Sequence, residues 1–460
     1  MLNYDLIIIG TGSGNTIITP EYDDLKIAII EKGVFGGTCL NRGCIPSKML
    51  IHVADIVTEI NDSHALGIEV GAPSINWPEI QTRIFGRIDP IATSGENYRK
   101  TLPNVTVYNG EASFLTRHTI KVGNEKIRAD QIVIATGAAP SLPAINGLSD
   151  IPFHTSDSIM RIDELPDRLA IVGGGYIATE LAHVFTAFGC DVTMLVRSNT
   201  LLPQEDISIQ KQFIKVFSQK VDVRFGATIE KIDHKDGAIV CEYENNGKKI
   251  LEVDALLIAT GRMPDLDTLN VEAAGINTKN GYIVTDKYMR TSVNNIWALG
   301  DVTNPNQLKH TANAEAKIVS HNLLHSDLRQ VDLDPIPHAV FTNPQIASVG
   351  YTQQDLNEMN TPYVTATEQY SDVAYGWAME ETTGFCKIIA EPTSGLILGA
   401  HIIGPQSSTL IHQLIQGMKF KRTVSELAQS FLYIHPALSE VVENALIKVS
   451  EKCEIELLRP

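Results

Sequence analysis

A short apolar run that breaks at closely spaced glycines occurs twice in this chain. The first copy is Leu6-Ile7-Ile8-Ile9 followed by Gly10-Thr11-Gly12-Ser13-Gly14-Asn15. The second is Leu169-Ala170-Ile171-Val172 followed by Gly173-Gly174-Gly175-Tyr176-Ile177-Ala178. Each reads as a strand buried on both faces that enters a tight turn and then a helix start, the opening of a dinucleotide-binding βαβ unit. A second echo closes each unit, since Ile132-Val133-Ile134-Ala135-Thr136-Gly137 recurs as Leu256-Leu257-Ile258-Ala259-Thr260-Gly261. Strands apolar on both faces need helices above and below them, so the chain is α/β with two Rossmann-like domains. No short period or low-complexity tract competes with this reading.

At 460 residues the chain is too long for one core. Breaks fall in the Pro-rich stretch Ala139 to Pro152 and at Gly261-Arg262-Met263-Pro264-Asp265. The expected division is 1–147 for the first dinucleotide domain, 148–265 for the second, and 266–335 for a central segment completing the first. Residues 336–460 change character. Runs such as Phe385-Cys386-Lys387-Ile388-Ile389 and Leu398-Gly399-Ala400-His401-Ile402-Ile403 alternate as antiparallel strands do, and helical patterns follow, giving an α+β end domain.

In such units one glycine permits the turn, another lets backbone approach a pyrophosphate, and a third lets helix pack on strand. Gly10, Gly12, Gly173 and Gly175 suit the first two tasks. The third position is Asn15 in one copy and Ala178 in the other, and Asn15 together with Pro20 implies a short, atypically packed first helix. Glu31 ends the strand after the first turn, where a carboxylate accepts from ribose hydroxyls. The matching residue in the second unit is Arg197, a cation suited to a 2′-phosphate, so NADPH is favoured over NADH.

The formal net charge is −17, which repels nucleic acid and anionic membrane surfaces, so neither is an expected partner. No apolar run approaches a membrane span, and the start Met1-Leu2-Asn3-Tyr4-Asp5 lacks a basic export signal, so a cytoplasmic location is expected. Cys190, Cys241, Cys386 and Cys453 are scattered and read as inert thiols. Cys39 and Cys44 differ, because they share one Gly-rich segment at an apparent helix start, where a thiol's pKa can be lowered and exchange with a disulfide is open to it; spacing alone fits two quiet cysteines at least as well. No second pair or histidine cluster accompanies them, so no metal site is expected.

The stretch Gly36-Gly37-Thr38-Cys39-Leu40-Asn41-Arg42-Gly43-Cys44-Ile45-Pro46-Ser47-Lys48 resembles the active-site signature of the class I pyridine nucleotide–disulfide oxidoreductases, which include glutathione reductase and dihydrolipoamide dehydrogenase. The resemblance runs the whole chain, through Ala135-Thr136-Gly137, Gly173, Ala298-Leu299-Gly300-Asp301 and His435-Pro436-Ala437-Leu438-Ser439-Glu440. It implies a glutathione reductase-like fold with FAD- and NADPH-binding domains and a C-terminal dimerisation domain. It also implies an NADPH-dependent flavoprotein disulfide reductase working as a homodimer with active sites shared between subunits.

Carried onto this chain, the resemblance makes Cys39–Cys44 a redox disulfide, with Cys44 beside the flavin and Cys39 attacking a small-molecule disulfide. His435 becomes the acid–base residue, reaching the partner's cysteines, and Glu440 orients it. Ser13, Gly14, Gly37, Thr38, Thr136, Gly137 and Gly300 join the FAD site, where Asp301 holds the ribityl–pyrophosphate region. Lys48 pairs with Glu180 beside the flavin. Lys309 and His310 open a helix aimed at the flavin's pyrimidine edge. Tyr176 gates the nicotinamide pocket, with Ile177 and Gly261 nearby. Phe85-Gly86-Arg87-Ile88-Asp89-Pro90-Ile91-Ala92 and Asp372-Val373-Ala374-Tyr375-Gly376-Trp377-Ala378-Met379-Glu380 resemble the branch acting on a neutral sugar-conjugated thiol. The rival within the family is a lipoamide-oxidising component of a 2-oxo acid complex, which would prefer NAD. Against the NADPH reading, Pro203 stands where glutathione reductase-like members carry a second arginine.

Overall fold

The computed structural model describes residues 1–453. Its first unit contains β1 (Leu2–Ile9), β2 (Ile27–Glu31), α1 (Gly37–Arg42), α2 (Cys44–Asp62), α3 (Trp77–Thr101), β3 (Val105–Asn109), β4 (Ala112–Thr116), β5 (Thr119–Val122) and β6 (Glu125–Ile134). The sheet runs β3-β2-β1-β6-β5-β4, parallel among its first four strands. Ile7, Ile8 and Ile9 sit in register with Ala28 to Ile30 on one side and Ile132 to Ile134 on the other, all buried. That is why the run is apolar throughout instead of alternating.

The helix expected after the first turn is reduced to a 3₁₀ turn, Ser13–Thr16, followed by another at Pro20–Tyr22. Asn15 points sideways, its side-chain oxygen accepting from Arg99 Nε of α3 at 2.8 Å. The close packing assigned to the third position falls instead to Gly14, where a Cβ would lie 2.7 Å from the Ala135 methyl.

The second unit repeats the plan with a full helix. It contains β7 (Arg168–Val172), α4 (Tyr176–Ala187), β8 (Asp191–Val196), α5 (Ile207–Phe217), β9 (Asp222–Phe225) and β13 (Ala255–Ile258). Between the last two lies an antiparallel meander of β10 (Thr228–Lys235), β11 (Ala238–Glu244) and β12 (Lys248–Val253). The parallel sheet is ordered β9-β8-β7-β13, with the short strand His154–Thr155 at its edge. The chain then returns to the first sheet, where β14 (Ile296–Ala298) pairs with β6, and α6 (Lys309–Leu324) follows. Helix α6 takes the place left by the shortened first helix. Tyr22 donates to the Ser320 carbonyl at 2.6 Å, and Ser320 Oγ donates to the Ile17 carbonyl at 2.8 Å.

The end domain is an antiparallel sheet of β15 (Pro337–Val340), β16 (Ile346–Gly350), β17 (Val364–Gln369), β18 (Phe385–Ala390) and β19 (Ile397–Ile403), ordered β15-β16-β19-β18-β17. Helices α7 (His412–Lys419) and α8 (Ser439–Ser450) cover it. On α8, Val441, Val442, Ala445, Leu446 and Val449 are buried, the i, i+1, i+4, i+5, i+8 stripe of a helix lying on a sheet. No helix among the described residues is long and apolar enough to cross a membrane.

Candidate active site

A cavity of about 1180 Å³ opens where the C-terminal ends of the parallel strands meet the end domain. The first unit lines it with Gly10, Gly12, Ser13, Glu31, Gly37, Thr38, Cys39, Cys44, Lys48, Thr136 and Gly137. The second contributes Tyr176, Ile177 and Glu180, and the returning segment Gly300, Asp301, Lys309 and His310. Gly14, Gly173, Gly175, Arg197, Gly261, His435 and Glu440 are not on its wall.

The duplicated motif recurs in atomic detail. A Cβ on Gly10 would lie 2.3 Å from the Ala135 carbonyl oxygen, and one on Gly173 would lie 2.3 Å from that of Ala259. The first glycine of each copy therefore leaves room for the second echo of its own unit. Gly12 and Gly37 press against each other, a Cβ on Gly37 falling 2.6 Å from the Gly12 Cα. The result is a cradle of bare backbone. Glu31 closes its rim, accepting from Thr11 N and Oγ1 at 2.9 and 2.6 Å. These features fit a dinucleotide, whose pyrophosphate needs backbone within contact distance and whose ribose needs an acceptor.

Helices α1 and α2 are separated by Gly43 alone, where a Cβ would lie 2.9 Å from the Thr38 carbonyl. This tight break brings the end of one helix against the start of the next and sets Cys39 beside Cys44. The two thiols neighbour each other closely enough to titrate as a pair, the proton staying on Cys39. The contact with Cys39, helped by the Lys48 charge and opposed by burial, brings Cys44 down to about 7, while Cys39 is pushed up. Cys44 faces the cavity and is exposed. One turn along α2, Lys48 Nζ reaches both Glu180 oxygens at 2.8 and 2.7 Å. Glu180 Oε1 also accepts from Phe341 N at 2.9 Å, and the ammonium lies 4.6 Å from the Phe341 ring centroid. One ion pair thus joins all three domains beside the sulfurs.

Helix α6 begins at Lys309, whose Nζ donates to Ser13 Oγ at 2.9 Å. His310 Nε2 donates to the Pro337 carbonyl at 2.9 Å. Burial raises Asp301 against the pull of Arg262 and Lys309. Sequence reasoning missed Glu315, which is buried, accepts from Gly300 N at 2.6 Å and from Asn304 Nδ2 at 3.1 Å, and is raised by burial to about 7. Its signal was a carboxylate on the apolar stripe Ala312, Ala316, Val319, Leu323. Arg262 was also missed; it donates to Asp157, Ser156 and the Ala138 carbonyl across the two dinucleotide units.

Arg197 stands exposed just past β8 and makes no ion pair among the described residues. Gly175 caps α4 with open space where its Cβ would be, and Gly261 follows β13 with φ +117°. On the end domain, His435 Nδ1 bonds Glu440 Oε1 at 2.7 Å, and that contact holds the Glu440 carboxyl below its ordinary value. His435 is 73% exposed and stands away from the cavity wall. Around it, Phe431, Leu432 and Ile434 are exposed apolar side chains.

Two dinucleotide folds converging on a pair of adjacent thiols define a flavoprotein that moves electrons between a nicotinamide and a disulfide. The chain belongs to the pyridine nucleotide-disulphide oxidoreductases, matching that family over residues 4–317 and its dimerisation domain over 336–446. It is 43% identical to mycothione reductase of Mycobacterium tuberculosis, over 97% of this chain and 99% of that one. It is 33% identical to mercuric reductase of Staphylococcus aureus, over 93% of this chain and 79% of that one. Among solved structures it superimposes on the HOCl-induced flavoprotein disulfide reductase RclA of Escherichia coli with a TM-score of 0.87 and 30% identity, covering 98% of this chain and 100% of that one. The protein is an NAD(P)H-dependent disulfide oxidoreductase. Its family implies a flavin and a pyridine nucleotide, and its dimerisation domain a homodimer.

Proposed function

We propose that the chain reduces mycothione, the disulfide of mycothiol, with FAD as its flavin and NADPH as its electron donor, in thiol redox homeostasis of the cytoplasm. The observation that carries this reading is the placing of Cys39 and Cys44 side by side on the wall of one cavity at the junction of two dinucleotide folds, beside the Lys48–Glu180 pair. Kinship to mycothione reductase over nearly the whole of both chains supports the substrate. In this reading residues 1–147 and 266–335 hold FAD, 148–265 hold NADPH, and 336–460 form the dimer interface.

FAD would lie against Gly10, Gly12, Ser13 and Gly14, with Glu31 on the ribose and Gly37, Thr38, Thr136, Gly137, Gly300 and Asp301 along its length. Lys48, Glu180, Lys309 and His310 face its ring. NADPH would meet Gly173, Gly175, Ile177 and Gly261, with Arg197 on the 2′-phosphate and Tyr176 at the nicotinamide. When bound, the flavin relays the two electrons of the nicotinamide to the Cys39–Cys44 disulfide.

With the pair reduced, Cys39 passes its thiol proton to His435 of the partner subunit as its sulfur attacks one sulfur of the substrate disulfide. A mixed disulfide forms, and the other half leaves as a thiolate. His435 of the partner subunit gives that thiolate its proton, held in the donating orientation by Glu440 of the partner subunit. Cys44, already poised as a thiolate near neutral pH, then attacks Cys39 Sγ. The second half leaves as a thiolate, which takes its proton from solvent, and the Cys39–Cys44 bond re-forms. The 73% exposure of His435, ringed by apolar side chains on the dimerisation domain, suits a group that acts in another subunit. Oxidation of NADPH by the purified protein with mycothione, glutathione disulfide and lipoamide in parallel tests the reading. Turnover with mycothione is expected; turnover with lipoamide alone would overturn the substrate.

A further inference from the structure

The loop after β8 carries Arg197 at its start and Glu205-Asp206 at its end; Gln210 of α5 holds it from its own unit, donating to the Glu205 carbonyl at 2.7 Å, and charged groups of the end domain hold its acidic end. Within it, Leu202 adopts φ +50° while its N–H donates to the Gly174 carbonyl at 2.8 Å. A branched side chain stays in that region only where its surroundings over-determine it. Here the surroundings are Gly174 of its own unit and, three residues on, the end-domain sheet that holds Glu205 and Asp206. Asp206, wholly buried, accepts from Lys387 Nζ of β18 at 2.7 and 2.9 Å and from Gln353 N at 3.0 Å. Glu205, 3% exposed, meets His338 Nε2 of β15 at 2.7 Å and accepts from Ser348 Oγ of β16 at 2.6 Å. Glu205 and His338 also line the cavity that holds the cysteines.

We propose that His338 is a positioning residue for the dinucleotide: through Glu205 it holds the loop 197–206 in the shape that presents Arg197, so affinity for NADPH follows the proton on His338. This rests on the reading of Arg197 as the 2′-phosphate contact. The two anchors differ in kind. Asp206, buried yet hydrogen-bonded by Lys387 and Ser208, is held well below the ordinary carboxylate range, whereas Glu205–His338 loses a charge when the imidazole deprotonates. Burial works against the imidazolium, but Glu205 outweighs it, so His338 is raised above its ordinary value. His310 of α6 and His412 of α7 neighbour it, and Asp206, Lys387 and His401 lie behind Glu205. Once His338 is neutral, a buried carboxylate keeps only hydrogen bonds from Ser348 and an uncharged ring, and the loop loosens. The anchor is therefore whole at lower pH and weakens as pH rises through the raised value.

Binding of NADP⁺ to the oxidised holoenzyme, followed by calorimetry from pH 6.5 to 9, tests this in the wild type and in His338→Gln, His338→Lys and Arg197→Ala. In the wild type the dissociation constant is expected to rise about fivefold with pH. His338→Gln should bind weakly with little slope. His338→Lys, with a lasting charge, should bind tightly throughout and supplies the baseline for ionisation of the 2′-phosphate itself. Arg197→Ala should be weak and should lose the slope that His338 imposes, keeping only the baseline seen in His338→Lys. Wild-type affinity and slope in His338→Gln, with Arg197→Ala weak, would overturn the proposal and leave the Arg197 contact standing. Wild-type binding by Arg197→Ala would overturn that contact, and the proposal with it. Should His338→Gln fail to fold, the slope of His338→Lys decides: a slope equal to the wild type's refutes the role of the charge.

Discussion

Replacing Cys39 by alanine isolates what keeps Cys44 reactive. Cys44 is lowered from 9.0 to about 7, and the largest contribution is the hydrogen bond from Cys39, ahead of the Lys48 charge. Burial pulls the other way, and once the Cys39 sulfur is gone only the Lys48 charge and a backbone hydrogen bond oppose it. The Cys44 thiol of Cys39→Ala should therefore return toward its ordinary range. At pH 7 a thiol with a pKa near 7 is about half thiolate, and one near 9 about 1%, a difference of roughly fiftyfold. The thiol faces the cavity, so water moderates the change, and a drop of at least about tenfold is the expected result. The assay is the rate of alkylation of Cys44 by iodoacetamide in the reduced protein, resolved by mass spectrometry across pH 5 to 10. Cys39→Ser keeps a donor and should fall between the two. If Cys44 in Cys39→Ala is alkylated at pH 7 as fast as in the wild type, Lys48 and not Cys39 sustains the thiolate, and the assignment of the acidifying contact is refuted.

Other substitutions probe the frame. Gly10→Ala drives a Cβ to 2.3 Å from a backbone oxygen at φ +100° and should cost on the order of 3 kcal/mol or more in chemical denaturation. Gly175→Ala meets nothing and should leave stability within about 0.5 kcal/mol, while weakening NADP⁺ binding if backbone approaches the pyrophosphate there. Lys387→Met strands Asp206 in the interior and should lower the unfolding free energy by about 3–5 kcal/mol, measured by urea titration. Glu315, raised by burial from 4.5 to about 7, binds its proton more tightly folded than unfolded, so folding stability from this group falls as pH rises from 4.5 to 7. Glu315→Gln should match the wild type near pH 4.5 and exceed it by roughly 2–3 kcal/mol at pH 8, read as the difference between urea curves.

Much of the architecture was legible in the chain because its cause is local. A run such as Ile7-Ile8-Ile9 is apolar on every side, which commits it to the middle of a parallel sheet, and Pro20 shortens the helix that would follow. The third-glycine position misled, since Gly14 does that packing while Asn15 turns to Arg99 of a helix far along the chain. Glu315, Glu205 and His338 were invisible as a group because each is an ordinary residue until a distant segment lies against it.

The buried strands, the Gly-rich turns and the closeness of two cysteines along one short segment are properties of short segments, set by backbone sterics and side-chain polarity over a few residues. Which charges meet, which carboxyl loses its water, and that His435 stands off the cavity while Lys48 and Glu180 join three domains were decided only by the folded whole. Ion pairing and desolvation depend on distances between segments hundreds of residues apart, and no local pattern encodes those distances.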